Sequence, residues 1–201
     1  LIVFHSDNGG VVNALFAGDS KVDGALPASN APLRDGKGTL YEGGTKVAAL
    51  ANWPGHVAAG RHDGLIHVVD MLPTLADLAG GSTAKSLPLD GSDVWPVIAE
   101  GAASPRTEVL YNVDPLGGAV RQGDWKLVWK AALPPAVELY NLADDPAEAK
   151  DLAAGFPATS ASPVLDFSMS ARTRATACLL SPAEAQLNAA SSDNCGSNRS
   201  T

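Results

Sequence analysis

The sequence has 201 residues, of which 45% are hydrophobic, with a mean hydropathy of +0.03 and a formal net charge of −8 at pH 7. This composition is typical of a globular chain with a sizeable core, and its acidity argues against a nucleic-acid partner, which would require a basic surface. Cys178 and Cys195 are the only cysteines, which excludes a disulfide framework and a thiolate zinc site. No apolar run is long enough to span a bilayer.

The first predicted element is a buried strand at residues 1–4, an uninterrupted apolar run typical of a parallel strand covered on both faces. A buried strand seldom begins a complete protein, so we expect this chain to be the carboxyl-terminal part of a longer one. Residues 17–39 are rich in Gly, Asp, Pro, Ser and Asn and predict a long loop. Residues 46–53 predict a second buried strand.

A helix is predicted within residues 67–81, HVVDMLPTLADLAGG. Asp70 is its expected N-cap, and Pro73 falls in the first turn. The pair Gly80-Gly81 is expected to end the helix. Its predicted apolar face consists of Leu72, Leu75, Ala76, Leu78 and Ala79.

From residue 108 the pattern predicts an antiparallel meander. Its strands are expected at residues 108–113, 118–123, 124–130 and 137–142. Gln122-Gly123-Asp124 reads as a hairpin turn. Asp144-Asp145-Pro146 is expected to cap a short helix that runs to Leu152.

These elements predict an α/β fold in three segments. Residues 1–104 are expected to form the end of a mixed or parallel sheet domain, and residues 105–155 a small antiparallel α+β subdomain. Residues 156–201 are dominated by Ala, Ser, Thr, Asn and Pro and predict a low-complexity, disordered tail.

The stretch Ser6-Asp7-Asn8-Gly9-Gly10 permits two interpretations. Asn-Gly is a strong signal for a tight turn because both residues tolerate positive φ. Alternatively, the side chains of Asp7 and Asn8 place two hard oxygen ligands for Ca²⁺ or Mg²⁺ at the end of a strand.

Three cations, Arg34, Lys37 and Lys46, lie on the loop and strand that follow. One interpretation is that they are charges on a solvated loop, but Glu42-Gly43-Gly44 lies among them, and its glycines permit close backbone approach. A divalent cation beside a Lys or Arg side chain is a common arrangement for holding a tetrahedral oxyanion.

Six stretches, in this order, resemble the sulfatase family of the alkaline-phosphatase superfamily. They are FHSDNGG, PLRDGKGTLYEGGTKV, HVVDMLPTLADLAG, LDGSDVWPVI, VRQGDWKLVW and ELYNLADDPAEAKDLA. The resemblance extends over roughly residues 1–154 and is greatest to arylsulfatases of the N-acetylgalactosamine-4-sulfatase type. It implies an alkaline-phosphatase-like sheet sandwich and the hydrolysis of sulfate esters.

The resemblance also implies roles for individual residues. Asp7 and Asn8 match two ligands of a Ca²⁺ ion, which favours the metal interpretation of this turn, and Lys37 matches the catalytic lysine that contacts the substrate sulfate. Arg34 and the Glu42-Gly43-Gly44 turn match positions that shape the loop. The implied substrate is a sulfated small molecule or saccharide, and the implied location is secreted, periplasmic or lysosomal. The oligomeric state stays open.

The sequence also departs from the family. Sulfatases make their formylglycine nucleophile from Cys or Ser in a C/S-x-P/A-x-R motif, which this sequence lacks, since Ser104-Pro105-Arg106 has the wrong spacing. The family's first pair of metal-binding aspartates is missing as well. We therefore expect formylglycine and the remaining ligands upstream of this chain, and the fragment alone to be inactive.

Three alternative functions are also compatible with the sequence. A phosphonate or phosphodiester hydrolase of the same superfamily would share the metal pair but use another nucleophile. A catalytically inactive calcium-binding or interaction module would bind Ca²⁺ without turnover. A remnant of the fold would have neither property.

Overall fold

The computed structural model describes residues 1–14, 26, 28–114, 116–130 and 136–156. In the first part of the chain, strand β1 (Ile2–His5) pairs antiparallel with strand β2 (Ala49–Asn52), and a one-turn helix α1 (Glu42–Thr45) comes shortly before β2. Ile2 lies opposite Asn52 and His5 opposite Ala49.

The prediction of two buried strands, the first of them parallel, was wrong. All four residues of β1 are exposed, and Leu50 of β2 is 55% exposed. Within the described ranges β1 has β2 as its only neighbour. An apolar run becomes a buried strand only where other layers cover its faces, and the described residues provide no such cover.

The predicted helix is present as α2 (Met71–Leu78), which follows a 3₁₀ turn at Val68–Asp70. It ends in a Schellman motif, because the N–H of Gly80 donates to Asp77 O at 2.9 Å and that of Gly81 to Ala76 O at 2.8 Å. Gly80 has φ +68°, a conformation that glycine adopts without strain.

The predicted apolar face of α2 was wrong. Leu72 and Leu75 are 60% and 43% exposed, whereas Thr74 is buried. The Thr74 hydroxyl donates to Asp70 O at 2.6 Å and accepts from the N–H of Val94 at 2.9 Å. In the described structure, α2 is therefore anchored by polar contacts to the chain that leads into helix α3 (Trp95–Glu100).

The meander predicted from residue 108 onward is present as a four-stranded antiparallel sheet. Its strands are β3 (Glu108–Asp114), β4 (Gly117–Gln122), β5 (Trp125–Lys130) and β6 (Ala136–Asn141), in that spatial order. The predicted hairpin is confirmed between β4 and β5, where Gln122 pairs with Trp125 and Gly123 has φ +56°.

The two faces of this sheet differ because successive side chains of a strand point to opposite sides. One face is apolar, and Leu152 and Ala153 pack on a cluster formed by Val120, Leu127 and Leu139. The opposite face carries Lys126 and Tyr140 beside Ala119 and Val128, and Tyr41 packs against it. This second face holds charged groups that are nevertheless buried.

The helix predicted after Asp144-Asp145-Pro146 was wrong. The described chain forms turns here, with one 3₁₀ turn at Ala153–Gly155. The Asp145 carboxylate accepts from the N–H groups of Ala149 and Lys150, and Glu148 has φ +52°. A left-handed residue interrupts a right-handed helix, so this segment is a loop built around Glu148.

Of the predicted tail, residues 157–201 lie outside the described residues. The proposed boundary between the two ordered segments stays a prediction. None of the helices in the described ranges combines the length and apolarity needed to cross a membrane.

Candidate active site

The turn that follows β1 packs tightly against α1. The N–H of Gly9 donates to Gly44 O at 2.9 Å, and the N–H of Ser6 donates to Ala48 O at 3.1 Å. A Cβ on Gly9 would lie 1.7 Å from the carbonyl oxygen of Gly43. The two backbone segments can approach this closely only because position 9 has no side chain.

Asn30 joins the same turn to residues 31–41, which carry Arg34 and Lys37 and are called the basic loop below. Its Oδ1 accepts from the N–H of Gly10 at 2.9 Å, and its Nδ2 lies 2.9 Å from both Gly10 O and Asp35 O. The N–H of Lys37 also donates to Gly10 O, at 3.1 Å. Sequence reasoning missed Asn30, because an asparagine in a polar loop carries no periodic signal of its long-range partners.

Asp7 and Asn8 present oxygen atoms that suit a hard cation. Asp7 is exposed, and the hydrogen bonds of this turn among the described residues do not involve its carboxylate. The Asn8 amide nitrogen donates to Gly9 O at 2.8 Å, which leaves the amide oxygen available as a ligand.

A calcium ion takes about six to eight oxygen ligands, so these two side chains fit part of a Ca²⁺ shell and leave the rest to other groups. The described residues contain no group of three or more His, Cys, Asp or Glu side chains able to hold a metal. The donor chemistry of Asp7 and Asn8 is therefore compatible with calcium but incomplete.

Different environments surround the three cations Arg34, Lys37 and Lys46. The main chain of Lys37 is tied to Gly10, whereas its ammonium group has no hydrogen bond or ion pair among the described residues. Lys46 is exposed. The Arg34 guanidinium donates to Tyr140 Oη at 2.8 Å and lies 3.7 Å from the centre of the Tyr41 ring. Arg34 thus holds the loop to the sheet, whereas the Lys37 ammonium group is unpaired within the part of the chain that the structure describes.

A buried ion network connects α1 to the sheet. Lys126 Nζ lies 2.9 Å from Glu42 Oε1 and 2.9 Å from Glu148 Oε1, and the side chains of Lys126 and Glu148 are fully buried. The N–H of Glu42 donates to Glu148 Oε2 at 2.6 Å. Burial raises the pKa of Glu148, and the Lys126 charge and the Glu42 N–H only partly oppose that rise.

A second cluster surrounds Glu138 on the same face of the sheet. Its Oε2 accepts from the hydroxyl of Tyr41 at 2.7 Å and from that of Tyr140 at 2.8 Å, and Lys130 Nζ donates to Oε1 at 3.0 Å. Burial raises the pKa of Glu138, but these hydrogen bonds outweigh it and hold the pKa below its usual value.

A separate ion pair joins Asp70 to Arg106. The buried Asp70 carboxylate accepts from Arg106 Nε at 2.8 Å and from the N–H groups of His67 and Ser92 at 2.8 and 2.9 Å. Burial raises the Asp70 pKa, but these hydrogen bonds together lower it. Asp70 lies at the predicted N-cap of α2, although its side chain does not cap that helix. Arg106 is thus a structural partner of Asp70.

Comparison with known proteins connects this arrangement to one family. Residues 1–82 match the family model described as Sulfatase. Arylsulfatase J of Mus musculus is 34% identical over 149 residues, which is 70% of this chain and 22% of that protein. Arylsulfatase A of Homo sapiens is 38% identical over 131 residues, covering 63% of this chain and 24% of that protein.

The fold has a similar counterpart among solved structures. The crystal structure of Ps i-CgsB in complex with k-i-k-neocarrahexaose matches with a TM-score of 0.61 and 33% identity. The match covers 78% of this chain and 33% of the Ps i-CgsB chain. This likeness agrees with an α/β fold of the alkaline-phosphatase type. The chain spans about a fifth to a quarter of the length of the two arylsulfatases.

Proposed function

Because this chain belongs to the sulfatase family, we propose that the whole protein hydrolyses sulfate esters. One observation carries the proposal. Gly10 accepts a hydrogen bond from the main chain of Lys37, so the loop that carries the Lys37 ammonium group is attached to the turn that bears Asp7 and Asn8. An anion bound beside that turn would meet oxygen ligands for a metal and an ammonium group from adjacent segments.

Asp7 and Asn8 are the residues of this chain that would hold a Ca²⁺ ion. When bound, the ion would act as a Lewis acid on the oxygens of the sulfate group. Asn8 contributes a neutral amide oxygen, so this pair brings one negative charge instead of two. A ligand set of lower charge leaves the cation more attractive to an anionic substrate.

Lys37 would bind the sulfate group directly. Its compact ammonium can neutralise the charge that develops on the sulfate and on the bridging oxygen as the ester bond breaks. The hydrogen bond from its N–H to Gly10 fixes the main chain from which that ammonium extends. The attacking nucleophile, which the family resemblance implies to be formylglycine, is a group that we expect outside these 201 residues.

We propose a sulfated saccharide or a small aryl sulfate as the substrate. The arylsulfatase relatives favour an ester of sulfate. The carbohydrate k-i-k-neocarrahexaose in the Ps i-CgsB complex supports a saccharide ligand for a chain of similar fold.

The test is to assay the whole protein on p-nitrophenyl sulfate and on the diester bis(p-nitrophenyl) phosphate, each with Ca²⁺ and with a chelator. We expect faster turnover of the sulfate ester, loss of that turnover in chelator, and recovery when Ca²⁺ is restored. Faster turnover of the phosphodiester would instead favour the phosphodiester or phosphonate hydrolase. Stabilisation by Ca²⁺ without any turnover would indicate the inactive calcium-binding module.

A further inference from the structure

We propose that Glu148 is a positioning residue, which sets the placement of the Asp7-Asn8 turn and of Lys37 without touching the substrate. The inference rests on the proposed function for its catalytic consequence, but the structural coupling on which it depends can be measured separately. Glu148 is distant in sequence from the residues it would position, and it makes two kinds of contact with the segments that carry them.

The first contact is made by the Glu148 carboxylate. Its Oε2 accepts from the N–H of Glu42 at 2.6 Å, at the first residue of α1. Two residues later, Gly44 O accepts from the N–H of Gly9 at 2.9 Å. Gly9 directly follows Asn8. The carboxylate therefore fixes the one-turn helix against which the proposed calcium-binding turn is packed.

The second contact is made by the Glu148 main chain. Its carbonyl oxygen accepts from Arg34 Nη1 at 3.0 Å. The carbonyl oxygen of Arg34 in turn accepts from the N–H of Gly43 at 2.9 Å. Arg34 lies three residues before Lys37, so this contact restrains the loop from which the ammonium group extends.

Glu148 is itself held in one place. Its side chain is fully buried and lies against Lys126 Nζ at 2.9 Å. Its φ of +52° is uncommon for a residue with a side chain, and the Asp145 carboxylate closes the surrounding loop through the N–H of Ala149 at 3.1 Å. A carboxylate fixed from both sides is a firm support for groups that must be pre-organised before a reaction.

A positioning role predicts local changes at the Asp7-Asn8 turn and at Lys37, whereas a general contribution to stability predicts only a lower melting temperature. If Glu148 only stabilises the fold, its loss should resemble the loss of any other buried, ion-paired carboxylate. Asp70 provides that comparison, since it is also fully buried, pairs with a basic side chain and accepts backbone N–H groups. The contacts described for Asp70 involve neither the turn after β1 nor the basic loop.

The experiment compares Glu148→Gly with Asp70→Asn in the whole protein, below the melting temperature of each variant. Glycine removes the carboxylate and tolerates the positive φ. Amide hydrogen exchange is followed at Gly9 and Lys37, whose N–H groups donate to Gly44 O and Gly10 O. The same proteins are titrated with Ca²⁺ by thermal shift and assayed for KM and kcat on p-nitrophenyl sulfate.

We expect Glu148→Gly to exchange the Gly9 and Lys37 amides about tenfold faster and to need about tenfold more Ca²⁺ for half-maximal stabilisation. KM should rise by a similar factor in this variant. Asp70→Asn should change none of these, although it lowers the melting temperature.

The inference would be overturned if the Gly9 and Lys37 amides exchanged at the same rate in Glu148→Gly as in wild type. It would also be overturned if Asp70→Asn accelerated this exchange as much as Glu148→Gly does. Failure of the proposed function has a different signature. In that case the wild type would show no sulfate-ester turnover, while selective exchange at Gly9 and Lys37 would still support the positioning of both segments by Glu148.

Discussion

The N–H of Gly9 donates to the carbonyl oxygen of Gly44 at 2.9 Å. This contact joins the turn after β1 to α1, although the two residues are far apart in the sequence. The buried network of Glu42, Lys126 and Glu148 then joins α1 to the four-stranded sheet. The candidate active site is thereby supported by a sheet that supplies none of its proposed ligands.

Replacing Gly9 by alanine should disrupt the packing of this turn. The new Cβ would lie 1.7 Å from Gly43 O, a backbone atom that cannot move without displacing α1. We expect destabilisation of about 3 kcal/mol or more, measured by urea unfolding. Gly155→Ala is the matched control, because a Cβ there meets no atom within 4 Å. Equal stability of Gly9→Ala and Gly155→Ala would contradict the close approach.

Asn30→Ala should loosen the basic loop without unfolding the chain. The substitution removes the amide oxygen that accepts from the Gly10 N–H and the amide nitrogen that donates to Gly10 O and Asp35 O. The expected loss of stability is about 1–3 kcal/mol, since the Gly10 N–H is left without its partner. Asn52→Ala, at an exposed position of β2, should cost less than about 0.5 kcal/mol. If Asn30→Ala and Asn52→Ala unfold at the same urea concentration, the hydrogen bonds of Asn30 do not hold the basic loop in place.

Lys126→Met should leave the buried carboxylates of Glu42 and Glu148 without their shared cation. Removing one partner of a buried ion pair typically costs about 3–5 kcal/mol. Burial already raises the Glu148 pKa. The stability lost in Lys126→Met should therefore increase as pH rises from about 4 through the folded-state pKa of Glu148, because the Glu148 carboxyl group ionises over this range. Melting curves across this range test it, with the exposed Lys85→Met as control. A loss of stability in Lys126→Met that does not vary with pH would contradict the pairing of Lys126 with an ionised Glu148.

Asp70→Asn should reduce the sensitivity of the protein to acid. The folded-state pKa of Asp70 lies below its ordinary value of 3.8. A carboxyl group with a depressed pKa contributes stability that is present above its unfolded pKa and is lost as pH falls through the folded one. The wild type should therefore lose its advantage over Asp70→Asn between about pH 5 and pH 2. The measurement is the melting temperature of each protein as a function of pH. A constant difference in melting temperature between the two proteins over this interval would rule out a stabilising role of the ionised Asp70 carboxylate.

The sheet from β3 to β6 could be predicted from the sequence because its information is local. Short runs of β-forming residues separated by turn residues specify hairpins, and Gly123 lies at the predicted turn. The end of α2 was equally accessible, since glycine at the position after the helix is a local signal.

The segment around Glu148 could not be predicted in this way. Asp144-Asp145-Pro146 has the composition of a helix start, but buried contacts from Glu148 to Lys126 and Glu42 determine the backbone here. Tertiary contacts of this kind override local propensity and leave no periodic pattern. The same holds for the contacts made by Asn30. The sequence indicated cations close to the Asp7-Asn8 turn, whereas the individual roles of Asp7, Asn8 and Lys37 came from family resemblance and stay predictions.

The role of Lys37 is the central claim, and the turnover of p-nitrophenyl sulfate by Lys37→Ala in the whole protein tests it most directly. The free ammonium group is expected to stabilise charge in the transition state, so kcat/KM should fall by about 100-fold or more. The melting temperature should stay close to that of wild type, because the Lys37 side chain has no partner among the described residues. Lys85→Ala should retain full activity. A Lys37→Ala variant that turns over the sulfate ester at the wild-type rate would contradict the account.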